Sequence, residues 1–139
     1  MTESRRILVV DDQSEILDLA RMVLADAGYS VATATGGLEA LSVARGRRFD
    51  LALLDINMPG VDGWETLKLF KADEELCGIP VVMFSVKAEV RDRVYGLQRG
   101  ALDYITKPFG VEELVHRVRR ILTTLDEGGG KNSSASGAR

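Results

Sequence analysis

Five side chains of complementary chemistry follow apolar runs in this 139-residue chain. Asp11 and Asp12 follow Ile7-Leu8-Val9-Val10, and Asp55 follows Leu51-Ala52-Leu53-Leu54. Ser85 follows Val81-Val82-Met83-Phe84, and Lys107 follows the stretch from Leu102 to Thr106. Three carboxylates, a hydroxyl and an ammonium can act together if these runs end on one edge. Packed carboxylates repel one another and require a cation. Oxygen ligands with no neighbouring histidine or thiolate suit a hard ion such as Mg²⁺, with Mn²⁺ as a substitute. A carboxylate beside such an ion can attack phosphorus and become an aspartyl-phosphate. Lys107 can then offset the charge of the phosphoryl oxygens, and Ser85 can donate a hydrogen bond to them.

The elements that must position these groups are legible from periodicity. Short apolar runs bounded by turn residues read as strands, buried on both faces where the run is continuous. Four such runs end at the residues above, and a fifth, Tyr29 to Thr35, alternates apolar and polar residues. Helical spacing fills the intervals. The first helix opens at Gln13-Ser14, carries Ile16, Ala20, Val23, Leu24 and Ala27 on one face, and stops at Gly28. The second carries Leu38, Leu41 and Ala44, and Arg45, Arg47 and Arg48 suit the dipole at its end. Asp62 is positioned to cap the third, with Trp64, Leu67 and Phe70 inward. The fourth is expected to turn Val90, Val94 and Leu97 inward and to end at Gly100. The last carries Val111, Leu114, Val115, Val118, Ile121, Leu122 and Leu125. Five strand–helix alternations predict an α/β parallel sheet with right-handed crossovers and helices on both faces. The carboxyl ends of its strands then share one edge, where ligands bind at the switch point.

Length allows one core, so residues 1–125 form a single domain, and the Gly- and Ser-rich residues 126–139 read as a flexible tail or linker stub. A net charge of -3 argues against direct nucleic-acid binding by this domain. No apolar run approaches the roughly 20 residues of a membrane span. Cys77 is the single cysteine, which excludes an intrachain disulfide and suggests a reduced, cytoplasmic setting.

Over residues 5–125 the chain resembles a response-regulator receiver domain. The resemblance rests on Val9-Val10-Asp11-Asp12, on Leu54-Asp55-Ile56-Asn57-Met58-Pro59-Gly60-Val61-Asp62-Gly63, on Met83-Phe84-Ser85, and on Gly100 through Phe109 with Asp103, Tyr104, Lys107 and Pro108. It implies a flavodoxin-like (βα)5 three-layer sandwich with strand order 2-1-3-4-5. It implies Asp55 as phosphoacceptor, and Mg²⁺ held by Asp12, Asp55 and the backbone carbonyl of Asn57, with Asp11 acting mostly through water. Lys107 would hold the phosphate through a cis bond to Pro108. Ser85 and Tyr104 would form a switch acting on the surface of helix four, strand five and helix five. The donor would be a sensor histidine kinase or phosphotransfer protein. In the transcription-factor branch of the family, charges on that surface pair across a dimer. Arg93, Asp103, Glu113 and Arg117 could do so here, giving a weak phosphorylation-dependent homodimer, although Arg99 stands where an acid is expected. Val86 departs from the small residue usual after the switch hydroxyl, and with Lys87 it predicts slow self-dephosphorylation.

Other roles compete for the same residues. Asp11-Asp12 could be a charge pair at a helix N-terminus, Ser85 a cap for the fourth helix, and Tyr104 ordinary strand packing. His116 and the arginines at 117, 119 and 120 read as a solvated face, and Trp64 as a packing residue of the third helix. A haloacid-dehalogenase-like phosphatase would need an acid at Asn57 for proton transfer. A flavin module would need a hydroxyl- and glycine-rich loop where Asp11-Asp12 stands. A phosphorylation-independent adaptor would have no use for Asp55 and Lys107. The reading adopted is a signalling phosphoacceptor, not an enzyme with external turnover.

Overall fold

The computed structural model describes residues 4–86, 90–107 and 109–136. Lys87 and Pro108, and with them the expected cis bond, lie outside the described residues.

Strands β1 (Arg6–Val10), β2 (Ser30–Ala34), β3 (Leu51–Asp55), β4 (Val81–Ser85) and β5 (Asp103–Thr106) alternate with helices α1 (Ser14–Asp26), α2 (Gly37–Arg45), α3 (Gly63–Ala72), α4 (Val90–Gln98) and α5 (Val111–Ser136). All four strand pairings are parallel, and the order is β2-β1-β3-β4-β5. The α/β class and the 2-1-3-4-5 order are therefore as expected. β1, β3 and β4 lie inside the sheet and are almost wholly buried, which is why their sequences show no polar alternation.

Residues up to Phe109 form one compact unit, and α5 lies in a second. In the first, alternate residues of each strand point to opposite faces. Leu8, Val10, Ala52, Leu54, Val81 and Met83 pack in one cluster with Ala40, Leu41 and Ala44 of α2 and Leu67 and Phe70 of α3. Asp62 caps α3 by accepting a 2.9 Å hydrogen bond from the Glu65 amide. Gly28 has a φ of 102° and ends α1, a left-handed geometry that favours glycine.

Several inward assignments are corrected. Leu17, not Ile16, joins Ala20, Val23 and Leu24 as a buried position of α1. Leu38 is 66% exposed, because α2 buries Gly37, Ala40, Leu41 and Ala44. At 100° per residue Leu38 lies about 110° from the centre of that stripe. Val94 and Leu97 of α4 are 43% and 51% exposed, and Gly96 is the buried residue among those described on that helix. The helix is rotated so that half-buried Asp92 and Gly96, one turn apart, face in. Trp64 is half-buried and packs against the core, as its helical spacing suggested.

In α5 the buried positions are Leu114, Val118, Ile121 and Leu122, while Val111 is exposed. The helix runs on to Ser136, beyond Leu125 where its apolar repeat ends.

Candidate functional site

The register of the sheet builds the site. Val10 pairs with Leu54, so the residues that follow, Asp11 and Asp55, come level on neighbouring strands. Asp55 in turn pairs with Phe84, and Ser85 with Thr106, which sets Lys107 one residue beyond. A 2.8 Å hydrogen bond from the Lys107 amide to the Ser85 carbonyl fixes that last step. Residues separated by up to 96 positions in the chain thus meet at the carboxyl edge of one parallel sheet.

There the Lys107 ammonium lies 2.5 Å from Asp11 Oδ2 and 3.2 Å from Asp55 Oδ1. Its Nζ also stands 4.7 Å from the centre of the Phe84 ring. Asp11 is fully buried, and its other oxygen, Oδ1, accepts a 2.9 Å hydrogen bond from the Gln13 amide. Both oxygens of Asp11 are therefore engaged by the protein, whereas Asp12 is exposed. Asp12, Gln13, Asp55, Asn57, Ser85, Val86 and Lys107 line an open cavity of about 220 Å³. Burial pushes the Asp55 carboxyl above its ordinary value of 3.8, the Asp11 charge pushes it further, and Lys107 pulls it back.

Asp11, Asp12 and Asp55 each offer an oxygen, and these atoms all lie within 4.8 Å of one another. A cluster of hard oxygen donors, two of them buried, fits a divalent cation such as Mg²⁺ better than a thiophilic metal. Burying like charges together is costly unless something offsets them, and Lys107 offsets two of the three.

Behind the cavity, Ser85 is fully buried and Tyr104 is 2% exposed. Burial pushes the Tyr104 phenol above its usual range, opposed by the Ser85 side chain beside it. The Arg93 guanidinium lies 5.8 Å from the centre of the Tyr104 ring and donates a 3.1 Å hydrogen bond to Thr106 Oγ1.

Asp11, Asp12, Asp55, Asn57, Ser85 and Lys107, all singled out from the sequence, come together. Tyr104 stands one layer back. Three contributors have roles that the sequence did not assign. Gln13 orients Asp11 through its backbone, a role no residue type signals. Phe84 underlies Lys107, yet reads in sequence as one more apolar strand residue. Gly63 carries no side chain because α3 starts directly on β3. A Cβ there would stand 2.1 Å from the Asp55 carbonyl oxygen and 2.6 Å from Ile56 Cα.

Comparison with known proteins places this geometry. A family model described as the response regulator receiver domain matches residues 7–119. The chain is 40% identical to the DNA-binding dual master transcriptional regulator RpaA of Synechocystis, over 87% of this chain and 50% of the relative. It is 41% identical to the DNA-binding response regulator MtrA of Mycobacterium tuberculosis, over 91% of this chain and 54% of the relative. The chain thus spans about half the length of the curated relatives it matches. Among solved structures, the chemotaxis protein CheY4 of Vibrio cholerae superposes with a TM-score of 0.81 at 33% identity, covering 85% of this chain and 98% of that one.

Proposed function

The chain belongs to the response-regulator receiver family of two-component systems, and from that premise we propose that it is a signalling switch whose phosphoacceptor is Asp55. The family is a signalling module and not a conventional enzyme class. One observation carries the assignment to Asp55: its carboxylate sits in the strand-end cavity 3.2 Å from the Lys107 ammonium, within a cluster of three aspartates.

An oxygen of Asp55 attacks the phosphorus of a phosphohistidine on a sensor kinase or phosphotransfer protein. The oxygen–phosphorus bond forms as the nitrogen–phosphorus bond breaks, and the imidazole leaves. The work of the protein is positioning and charge compensation. Asp55 must be ionised to attack, and Lys107 favours that form against burial and the Asp11 charge. Lys107 also supplies positive charge for the phosphoryl oxygens. Asp12, Asp55 and the backbone carbonyl of Asn57 would hold Mg²⁺, with Asp11, already engaged by Lys107 and the Gln13 amide, acting through water. Bound Mg²⁺ supplies the charge that lets an anionic phosphoryl group approach carboxylates.

Ser85 and Tyr104 then transmit the change. The Ser85 hydroxyl turns to the phosphoryl oxygens, the Tyr104 ring beside it moves in response, and the β5–α4 surface carrying Arg93 responds. Net charge and the lone cysteine favour a cytoplasmic setting with no membrane or direct nucleic-acid contact by this domain.

The test is incubation with acetyl phosphate and Mg²⁺ followed by intact-mass measurement. The wild type is expected to gain one phosphoryl group and Asp55→Ala none. Equal labelling of both would reject Asp55 as the acceptor.

A further inference from the structure

We infer that the first turn of α3 is a second coupling element, linking the acceptor strand to α4 independently of Ser85 and Tyr104; this deepens the reading of Asp55 as phosphoacceptor and rests on it. Gly63, its first residue, is seated on β3 with no side chain between. An added Cβ would fall 2.1 Å from the Asp55 carbonyl oxygen, 2.6 Å from Ile56 Cα and 2.8 Å from the Asp55 carbonyl carbon. All three are backbone atoms, which cannot swing aside as a side chain does. The Gly63 amide also donates a 2.8 Å hydrogen bond to the Ile56 carbonyl. Any change in the backbone at Asp55–Ile56 is therefore imposed directly on the start of α3.

The next residue is Trp64, and α4 rests on it. A Cβ at Gly96 would lie 3.4 Å from two atoms of the indole ring. Gly96 is the buried residue among those described on α4, and a Cβ there would also lie 3.8 Å from Met83 Cγ, so α4 meets both Trp64 and β4 at this point. The Tyr95 ring meets Trp64 edge-on, with centroids 4.6 Å apart. Arg99 completes the stack, its guanidinium 4.4 Å from the centre of the Tyr95 ring. Arg99, which departs from the acid expected there, thus stacks on Tyr95 of its own helix, the ring that meets Trp64. The chain of contact is continuous: Asp55 backbone, Gly63, Trp64, then Gly96 and Tyr95. It meets α4 on a different side chain set from Arg93, Tyr104 and Thr106. Gly63 is a positioning residue in this scheme, and touches no phosphoryl oxygen itself.

Trp64 is the sole tryptophan of the chain, so its emission reports this contact directly. The experiment records the emission of the full chain with Mg²⁺, before and after beryllofluoride, alongside acetyl-phosphate labelling read by intact mass. Beryllofluoride is expected to shift the emission in the wild type and, with at least half the amplitude, in the double variant Ser85→Ala Tyr104→Phe. Gly63→Ala is expected to slow labelling on the order of tenfold to a hundredfold. Gly28→Ala, strained by its own positive φ but remote from the site, serves as the stability control and is expected to label at the wild-type rate. A shift that vanishes in the labelled double variant overturns the inference, as does a labelled wild type with no shift. Equal slowing by Gly63→Ala and Gly28→Ala reduces Gly63 to a structural role and overturns it too. A Gly63→Ala chain that fails to fold leaves the emission arm to decide. A wild type that accepts no phosphoryl group rejects the acceptor assignment as well, and the mass spectrum separates that failure from the others.

Discussion

Asp55 is held under opposing forces, and its side chain carries the sharpest predictions. Burial and the Asp11 charge raise its carboxyl above the ordinary value of 3.8, with Lys107 acting the other way. A carboxyl raised in the folded state contributes stability that is fully present below the unfolded value. That contribution is lost as pH rises through the folded value. At neutral pH the ionised Asp55 therefore costs the fold stability. Asp55→Asn is expected to raise the melting temperature by a few degrees and to flatten its decline from acid to neutral pH, in thermal denaturation without divalent ions. Adding Mg²⁺ should stabilise the wild type more than this variant. A lower melting temperature for Asp55→Asn across the whole range would contradict the electrostatics described. Val86 adds a kinetic prediction. It is 65% exposed and lines the same cavity. If it screens the phosphoryl group from water, Val86→Ala should shorten the phosphoryl lifetime severalfold in a decay assay. An unchanged lifetime would remove Val86 from that role.

At the scale of elements, caps and starting points matter more than helix length. Asp62 caps α3 through the Glu65 amide, and Gly63 begins that helix against β3. Asp62→Ala should cost about 1 kcal/mol in urea denaturation, the usual value of an N-cap. Slower acetyl-phosphate labelling should accompany it, because the same turn borders the acceptor. Loss of less than a few tenths of a kcal/mol would mean that tertiary packing alone fixes the turn. The capping of α3 was legible because Asp followed by a helical pattern has a local cause. The orientation of α4 was not. Val94 and Leu97 have the right spacing for an inward face, yet Gly96 takes that place, where it meets the indole of Trp64 and the side chain of Met83. A glycine contributes nothing to a hydrophobic pattern, so no periodicity could have pointed to it. Leu38 failed for a related reason: small residues, Gly37 and Ala40, let α2 approach closely and leave the larger side chain outside.

On the scale of the whole molecule, the chain corresponds to about half the length of the relatives named as DNA-binding regulators. Self-association is one route by which the state of such a domain can be read. Arg93 is held by Thr106 and Tyr104, while Glu113 accepts a 3.3 Å hydrogen bond from the Gly110 amide. Pairing these charges across a dimer would trade existing interactions for new ones, and exposed ion pairs contribute little each. Only weak dimerisation of the beryllofluoride form is therefore expected, visible in sedimentation at high concentration and reduced by Arg93→Ala. A strictly monomeric activated form would reject it.

Sequence by itself determined the strand and helix order, because burial on both faces writes continuous apolar runs and one-sided burial writes a helical repeat. It also identified the acidic strand ends and Lys107, since charge directly after a buried run is conspicuous. The tertiary structure decided how those groups are shared. Register places Asp11 level with Asp55, Lys107 spans both, and Asp12 is left facing solvent. It alone revealed Gly63 beneath the acceptor and Gly96 on Trp64. Such contacts depend on how near two backbones approach, a distance that the residues of either segment do not encode separately.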